Sequence, residues 1–195
     1  MNEAPTEYEV KFFPINLEEL RVKLQNANAT LKNPERLMRR CVFSAEANPS
    51  MTCTYIRIRD EGDKVTMSAK QHAKDGKINS QKEYETTVKD FATTRHILLN
   101  AGLVQTGYQE NKRETWKMPD GTLVELETWP RLPNYLEIEG ESEEAVKKTA
   151  SLLGLDWSNH IVQSNDFLYA KQWNLDAKTT LKSLAHLTFE ESDPR

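Results

Sequence analysis

The chain has 195 residues, with 26 Lys and Arg against 30 Asp and Glu and a formal net charge of −4. Apolar residues make up 37% and charged residues 29%, which leaves apolar surface for one core and little for a second. The charge balance gives no general argument for nucleic-acid binding, no apolar run reaches membrane-spanning length, and "MNEAPTEYEV" lacks the basic and apolar regions of a secretory leader, so a cytoplasmic protein is expected. Cys41 and Cys53 show no metal spacing and read as free thiols in a reducing compartment.

The first strand signal is "TEYEVKFF", residues 6–13, where Glu7, Glu9 and Lys11 alternate with Tyr8, Val10 and Phe12. Asn16 can cap a helix from Leu17, with Glu19 placed as in a capping box and Leu20 and Leu24 on its apolar face. "LKNPER" reads as the end of that helix. A strand is expected around Met38–Phe43, then a loop, then a hairpin of "CTYIRIRD" and "VTMSAKQ" turning through "EGDK". "HAKDGKINS" reads as a loop and "QKEYETTV" as a strand. Asp90 can cap "FATTRHILLNA", which Gly102 closes. "VQTGYQE", "KRETWKM" and "LVELETW" read as three strands, the last two joined by "PDG". "PRLPN" connects to the strand "YLEIEG"; Ser142 opens a helix "EEAVKKTASLL" and Gly154 closes it. "LDAKTTLKSLAHL" reads as a further helix. Residues 1–173 are expected as one α+β domain and 174–195 as a helical or flexible tail.

The first-strand pattern recurs. Arg57 and Arg59 alternate with Ile56 and Ile58; Thr66, Ser68 and Lys70 with Val65, Met67 and Ala69; Glu83 and Glu85 flank Tyr84. Arg113, Thr115 and Lys117 alternate with Trp116 and Met118, Glu125 and Glu127 with Val124 and Leu126, and Glu137 and Glu139 with Leu136 and Ile138. For any single strand, a solvated charged face is the ordinary explanation. Two features count against it for the set. Several strands carry Glu at i and i+2 with no basic residue between, and the helices offer apolar faces for the opposite side. A sheet curled with its charges inward would bury like charges, which is costly unless they are paired or metal-bound. Grouped carboxylates suit a hard divalent cation, and Arg and Lys suit anionic oxygen.

These residues resemble a known family. "EYEVKF" is similar to the E-x-E-x-K signature of the CYTH domain, the triphosphate tunnel metalloenzymes. "YIRIR", "VTMSAK", "KEYE", "KRETW" and "LVELETWPRLPNYLEIEG" resemble the family's later strands in order, from about Glu7 to Gly154. Glu127 stands where the family has Asp, Leu132-Pro133 replaces Leu-Gly, and Ser44 stands where Tyr-Phe-Asp would end.

The resemblance implies an eight-stranded antiparallel closed β-barrel with helices packed outside, Mg²⁺ or Mn²⁺, and a triphosphate-containing small molecule in the tunnel. It implies metal-side carboxylates at Glu7, Glu9, Glu127, Glu137 and Glu139. It implies phosphate contacts at Lys11, Arg57, Arg59, Lys70 and Arg113, to which Arg39 and Lys117 are added. Lys11, Glu83 and Glu85 are the expected catalytic residues, the two glutamates orienting basic side chains or completing the metal site. Lys171 is a candidate lid cation. The implied activity is a metal-dependent triphosphatase; a class IV adenylyl cyclase and a non-catalytic polyphosphate-binding module are the alternatives. No nucleic-acid or membrane partner is expected, and the chain is expected as a monomer or homodimer.

Overall fold

The computed structural model describes residues 6–72, 77–78, 81–176, 179–180 and 184–190. In chain order the strands and helices are β1 (Thr6–Phe12), α1 (Leu17–Asn26), β2 (Thr30–Ser44), β3 (Tyr55–Asp60), β4 (Val65–His72), β5 (Gln81–Val88), α2 (Phe91–Asn100), β6 (Gly107–Lys117), β7 (Leu123–Thr128), β8 (Tyr135–Gly140), α3 (Glu143–Leu152), α4 (Asn165–Trp173) and β9 (His186–Leu187). The helices begin where local chemistry provides caps. Asn16 accepts hydrogen bonds from the N–H groups of Glu18 and Glu19, Asp90 from Thr93 and Ser142 from Ala145. Gly102 follows α2 at φ +90°, a left-handed conformation that glycine adopts without strain.

Eight antiparallel strands form one strongly curled sheet in the order β2-β3-β4-β5-β1-β8-β7-β6. β2 also pairs with β6, at the two ends of this order. Between β5 and β1 the pairings among the described residues are Thr6↔Lys82 and Glu7↔Gln81. β9 adds a ninth strand, parallel to β6.

The outward face of β1, β7 and β8 carries Val10, Phe12, Val124, Leu126, Leu136 and Ile138, which pack on Leu20 and Leu24 of α1 and Val146 and Ala150 of α3. Each such fully buried aliphatic side chain stabilises by about 1.5–3 kcal/mol. α2 covers Cys41, Phe43 and Ile58 on the outside of β2 and β3. A third cluster, at one end of the sheet, joins Trp129 and Tyr135 to Leu168 and Tyr169 of α4 and to Leu184 and Leu187. No helix among the described residues is long and apolar enough to cross a membrane.

Four expectations change. "LKNPER" is the first part of the 15-residue β2 and not a helix end. Its register slips between Leu31 and Arg36, and that irregularity accommodates Pro34, which has no N–H for the ladder. "VQTGYQE" and "KRETWKM" merge into the single strand β6, whose long partner β2 keeps it continuous. α4 forms within "QSNDFLYAKQW", where no helix was expected. Part of the segment after residue 174 is strand β9, and its Leu184 and Leu187 are buried. Most of the loop "HAKDGKINS", residues 177–178 and 181–183 of the expected helix "LDAKTTLKSLAHL", and the last five residues fall outside the described residues.

Candidate functional site

All eight antiparallel strands contribute side chains to one cavity of ≈ 1830 Å³. That exceeds the ~300–1,000 Å³ of ordinary small-ligand clefts, so the whole inside of the curled sheet is hollow. Strand parity sorts the charges. The neighbouring β1, β8 and β7 present Glu9, Lys11, Glu137, Glu139 and Glu125 to it. The neighbouring β2, β3 and β4 present Arg36, Arg40, Arg57, Arg59 and Lys70. Glu83 and Glu85 of β5 stand between these walls, and Arg113 projects from β6. Glu7 lies two residues before Glu9 on β1, at the position facing Gln81 of β5.

On the acidic wall, Glu9 faces Glu139 and Glu125 faces Glu137 in direct cross-strand register, which is unfavourable for like charges. Arg113 resolves one conflict. It pairs with Glu137 at 3.0 Å and also with Glu125 and Glu127, three carboxylates whose oxygens lie within 4.8 Å of one another. Glu127 is fully buried behind it and accepts further bonds from Asn111 Nδ2 at 2.9 Å and Trp129 Nε1 at 2.8 Å. Burial pushes the Glu127 carboxyl up to about 7 against the pull of Arg113. Lys11 pairs with Glu9, and with Glu137 at 3.3 Å. Burial opposes the Glu9 charge, but Lys11, Lys70 and Arg113 overcome it and hold this carboxyl at about 2. Glu139 makes no ion pair among the described residues. Its burial, with Glu125 and Glu9 near, pushes it up to about 7.

On the basic wall, Arg57 pairs with Glu83 at 3.2 Å and Glu85 at 3.6 Å, and Lys70 pairs with Glu83 at 2.9 Å. Arg59 has no carboxylate partner among the described residues, and its buried Nε has no acceptor. Burial, reinforced by Arg57, Arg113 and Arg40, pushes its guanidinium down to about 9. A buried ion left without a counterion costs several kcal/mol, so this position favours any anion that enters. The cavity thus holds a carboxylate without a cation and a guanidinium without an anion.

The expected residues Glu9, Lys11, Arg57, Arg59, Lys70, Glu83, Glu85, Arg113, Glu137 and Glu139 are brought together on the cavity lining. Glu127 is not on that lining; it stands behind Arg113. Arg39 points outward, 51% exposed, and pairs with Asp60 at 2.5 Å. Its neighbour Arg40 faces inward instead. Lys117 ends β6, exposed, and does not line the cavity. Lys171 lines a second, smaller cavity near the Phe13-Pro14 segment and not the large one. Glu125, Arg36 and Arg40 are cavity residues that the sequence reading left out of the site. The parity of Glu127 carried the signal for Glu125, and the outward Cys41 and Phe43 carried it for Arg40.

A family model described as the CYTH domain matches residues 5–168. No curated protein matches the chain. Among solved structures, the PH1012 protein of Pyrococcus horikoshii superposes with a TM-score of 0.70 at 19% identity, covering 83% of this chain and 98% of its own. A Vibrio parahaemolyticus protein described as a candidate adenylate cyclase superposes with a TM-score of 0.70 at 11% identity, covering 86% and 99%. HpAC1 from Hippeastrum, an adenylyl cyclase candidate described as revealing a dominant triphosphatase activity, gives 0.55 at 15% identity, covering 88% and 99%. At such identities these likenesses establish the fold. With the family model spanning residues 5–168 and the strands of that signature curled around one charged cavity, the chain belongs to the CYTH domain family.

Proposed function

We propose that this protein is a divalent-metal-dependent hydrolase of inorganic triphosphate or of a small organic triphosphate. The observation that carries the reading is the pairing of unmet charges in one cavity: Arg59 without an anion and Glu139 without a cation. A metal-phosphate ligand supplies both at once. Treating the curled sheet as a closed tunnel, sealed along the β5–β1 seam, belongs to the same reading.

Hard divalent cations take carboxylate oxygens. Glu9, Glu137 and Glu139 line the cavity and would supply carboxylate oxygens to Mg²⁺ or Mn²⁺, Glu139 being without an ion-pair partner among the described residues; the family resemblance adds Glu7. When bound there, the metal would neutralise charge on phosphate oxygens. Glu127 is better read as a positioning residue, since it is spent on Arg113, Asn111 and Trp129. Arg57, Arg59 and Lys70 would align the phosphate chain for attack by water, which yields orthophosphate and pyrophosphate from inorganic triphosphate. Glu83 holds Arg57 and Lys70 in place for that task. Burial works against the Lys11 charge, but Glu9 and Glu137 raise its pKa, so it acts as a fixed cation and not as a proton acceptor. Cyclisation of ATP would draw on the same residues.

Purified protein with Mg²⁺ or Mn²⁺ and either inorganic triphosphate or ATP, followed by phosphorus NMR, tests this. Orthophosphate plus pyrophosphate from triphosphate, with ATP nearly untouched, is the expected result. Cyclic AMP and pyrophosphate from ATP would make the protein a cyclase, and binding without turnover would make it a polyphosphate-binding module.

A further inference from the structure

We propose that Arg40, together with Arg59, grips the terminal phosphoryl group of the substrate, and that Gln109 and Trp129 fix its position; this rests on the triphosphate reading above. Arg40 of β2 and Arg59 of β3 are direct cross-strand partners, and both line the cavity. Like charges in that relation repel, and burial deepens the cost. Neither has a carboxylate within ion-pair distance among the described residues.

Arg40 is nevertheless held firmly. Its Nε donates to Gln109 Oε1 at 2.8 Å, and its guanidinium lies 4.4 Å from the Trp129 ring centre. Both supports are anchored from behind. Gln109 Nε2 donates to the Leu184 carbonyl at 2.7 Å, and Trp129 Nε1 donates to Glu127 at 2.8 Å. The terminal N–H groups of Arg40 take no protein acceptor among the described residues. A planar fork fixed in this way, with donors left over, is built to receive an oxyanion. A terminal phosphoryl group offers three free oxygens and close to two negative charges, more than an inner phosphate of the chain. Two facing guanidinium groups match it.

The plain structural alternative is that Arg40 only rivets Trp129 in place. The two readings differ in what Arg40→Gln does. Melting in EDTA, with and without inorganic triphosphate, and steady-state kinetics with Mg²⁺ separate them. The expected variant has an unliganded Tm equal to or above wild type, because repulsion with Arg59 is relieved. It loses most of the triphosphate-induced rise in Tm, and its KM increases about 10- to 100-fold with kcat little changed. Arg40→Lys, lacking the planar fork, falls between the two. Gln109→Glu keeps Arg40 but gives it a carboxylate, and weakens triphosphate binding in the same direction. That variant decides the matter where Arg40→Gln does not fold. A lower unliganded Tm with an unchanged triphosphate shift and KM overturns the inference alone. A wild type that neither binds nor hydrolyses triphosphate overturns it together with the function on which it rests.

Discussion

The acidic wall of β1, β8 and β7 finds most of its counterions in Lys11 and in Arg113 of the adjoining β6, whereas the basic wall of β2, β3 and β4 has too few. Lys11 and Arg113 reach four of the glutamates, and among the described side chains of this wall Glu139 is left without an ion-pair partner. Glu83 and Glu85 reach Arg57 and Lys70 but not Arg59 or Arg40. The difference separates two jobs. Under the proposed function, the acidic wall is a finished piece of structure with one opening for a cation, and the basic wall is held in a state that an incoming polyanion would complete.

This contrast can be broken most severely at Glu139. Glu139→Gln lowers kcat/KM with Mg²⁺ by about 10²- to 10³-fold and leaves Tm unchanged or raised, read by steady-state assay and thermal melt. Full activity in that variant would remove Glu139 from the site. Arg113→Gln strikes the finished side of the comparison. It strips three buried carboxylates of their common partner and costs about 3–5 kcal/mol in a denaturant melt. A loss below about 1 kcal/mol would mean that the cluster is held by something other than Arg113. Arg59→Gln strikes the unfinished side. It costs no stability, while kcat/KM falls about 10- to 100-fold. Equal destabilisation by the two arginine variants would erase the distinction between the walls. The smallest effect is on pH. Glu127 and Glu139 are raised from 4.5 to about 7, so the folded protein keeps protons in that window that the unfolded chain releases. Stability of the metal-free protein therefore falls as pH rises from 4.5 to about 7, and Glu139→Gln shows a shallower fall in Tm measured in EDTA.

Much of this arrangement could be read from alternation alone. Glu9 with Lys11, Arg57 with Arg59, and Glu137 with Glu139 each have apolar neighbours that belong to the outer core, so their inward orientation follows from the period of a strand. Alternation fails where its origin is lost. The irregularity around Pro34 breaks the count along β2, and the apolar Val42 blurs the parity that Cys41 and Phe43 would set, so the sequence points to Arg39 where the fold turns Arg40 inward. Lys117 keeps the right parity but stands beyond the cavity, because parity fixes direction and says nothing of depth. Glu127 shows a third limit. Its spacing is that of a ligand, but its role depends on Arg113, a partner fourteen residues earlier whose reach only the folded register reveals. α4 and β9 owe their positions to the cluster around Trp129 and Tyr135, a tertiary influence that local propensity does not encode.

The register that joins Lys11 to Glu137 also sets a timetable. The basic wall is joined by short connections, β2 to β3 and β3 to β4, and these strands can meet soon after they emerge. β1 must wait for β8, more than a hundred residues later, before its glutamates find their neighbours. Contacts between such distant segments form late, because loop-closure entropy must be overcome before they reward the chain. The β1–β8 pairing is therefore expected to form late, and during synthesis β1 stays unpaired along its β8 edge until residues 135–140 have been made.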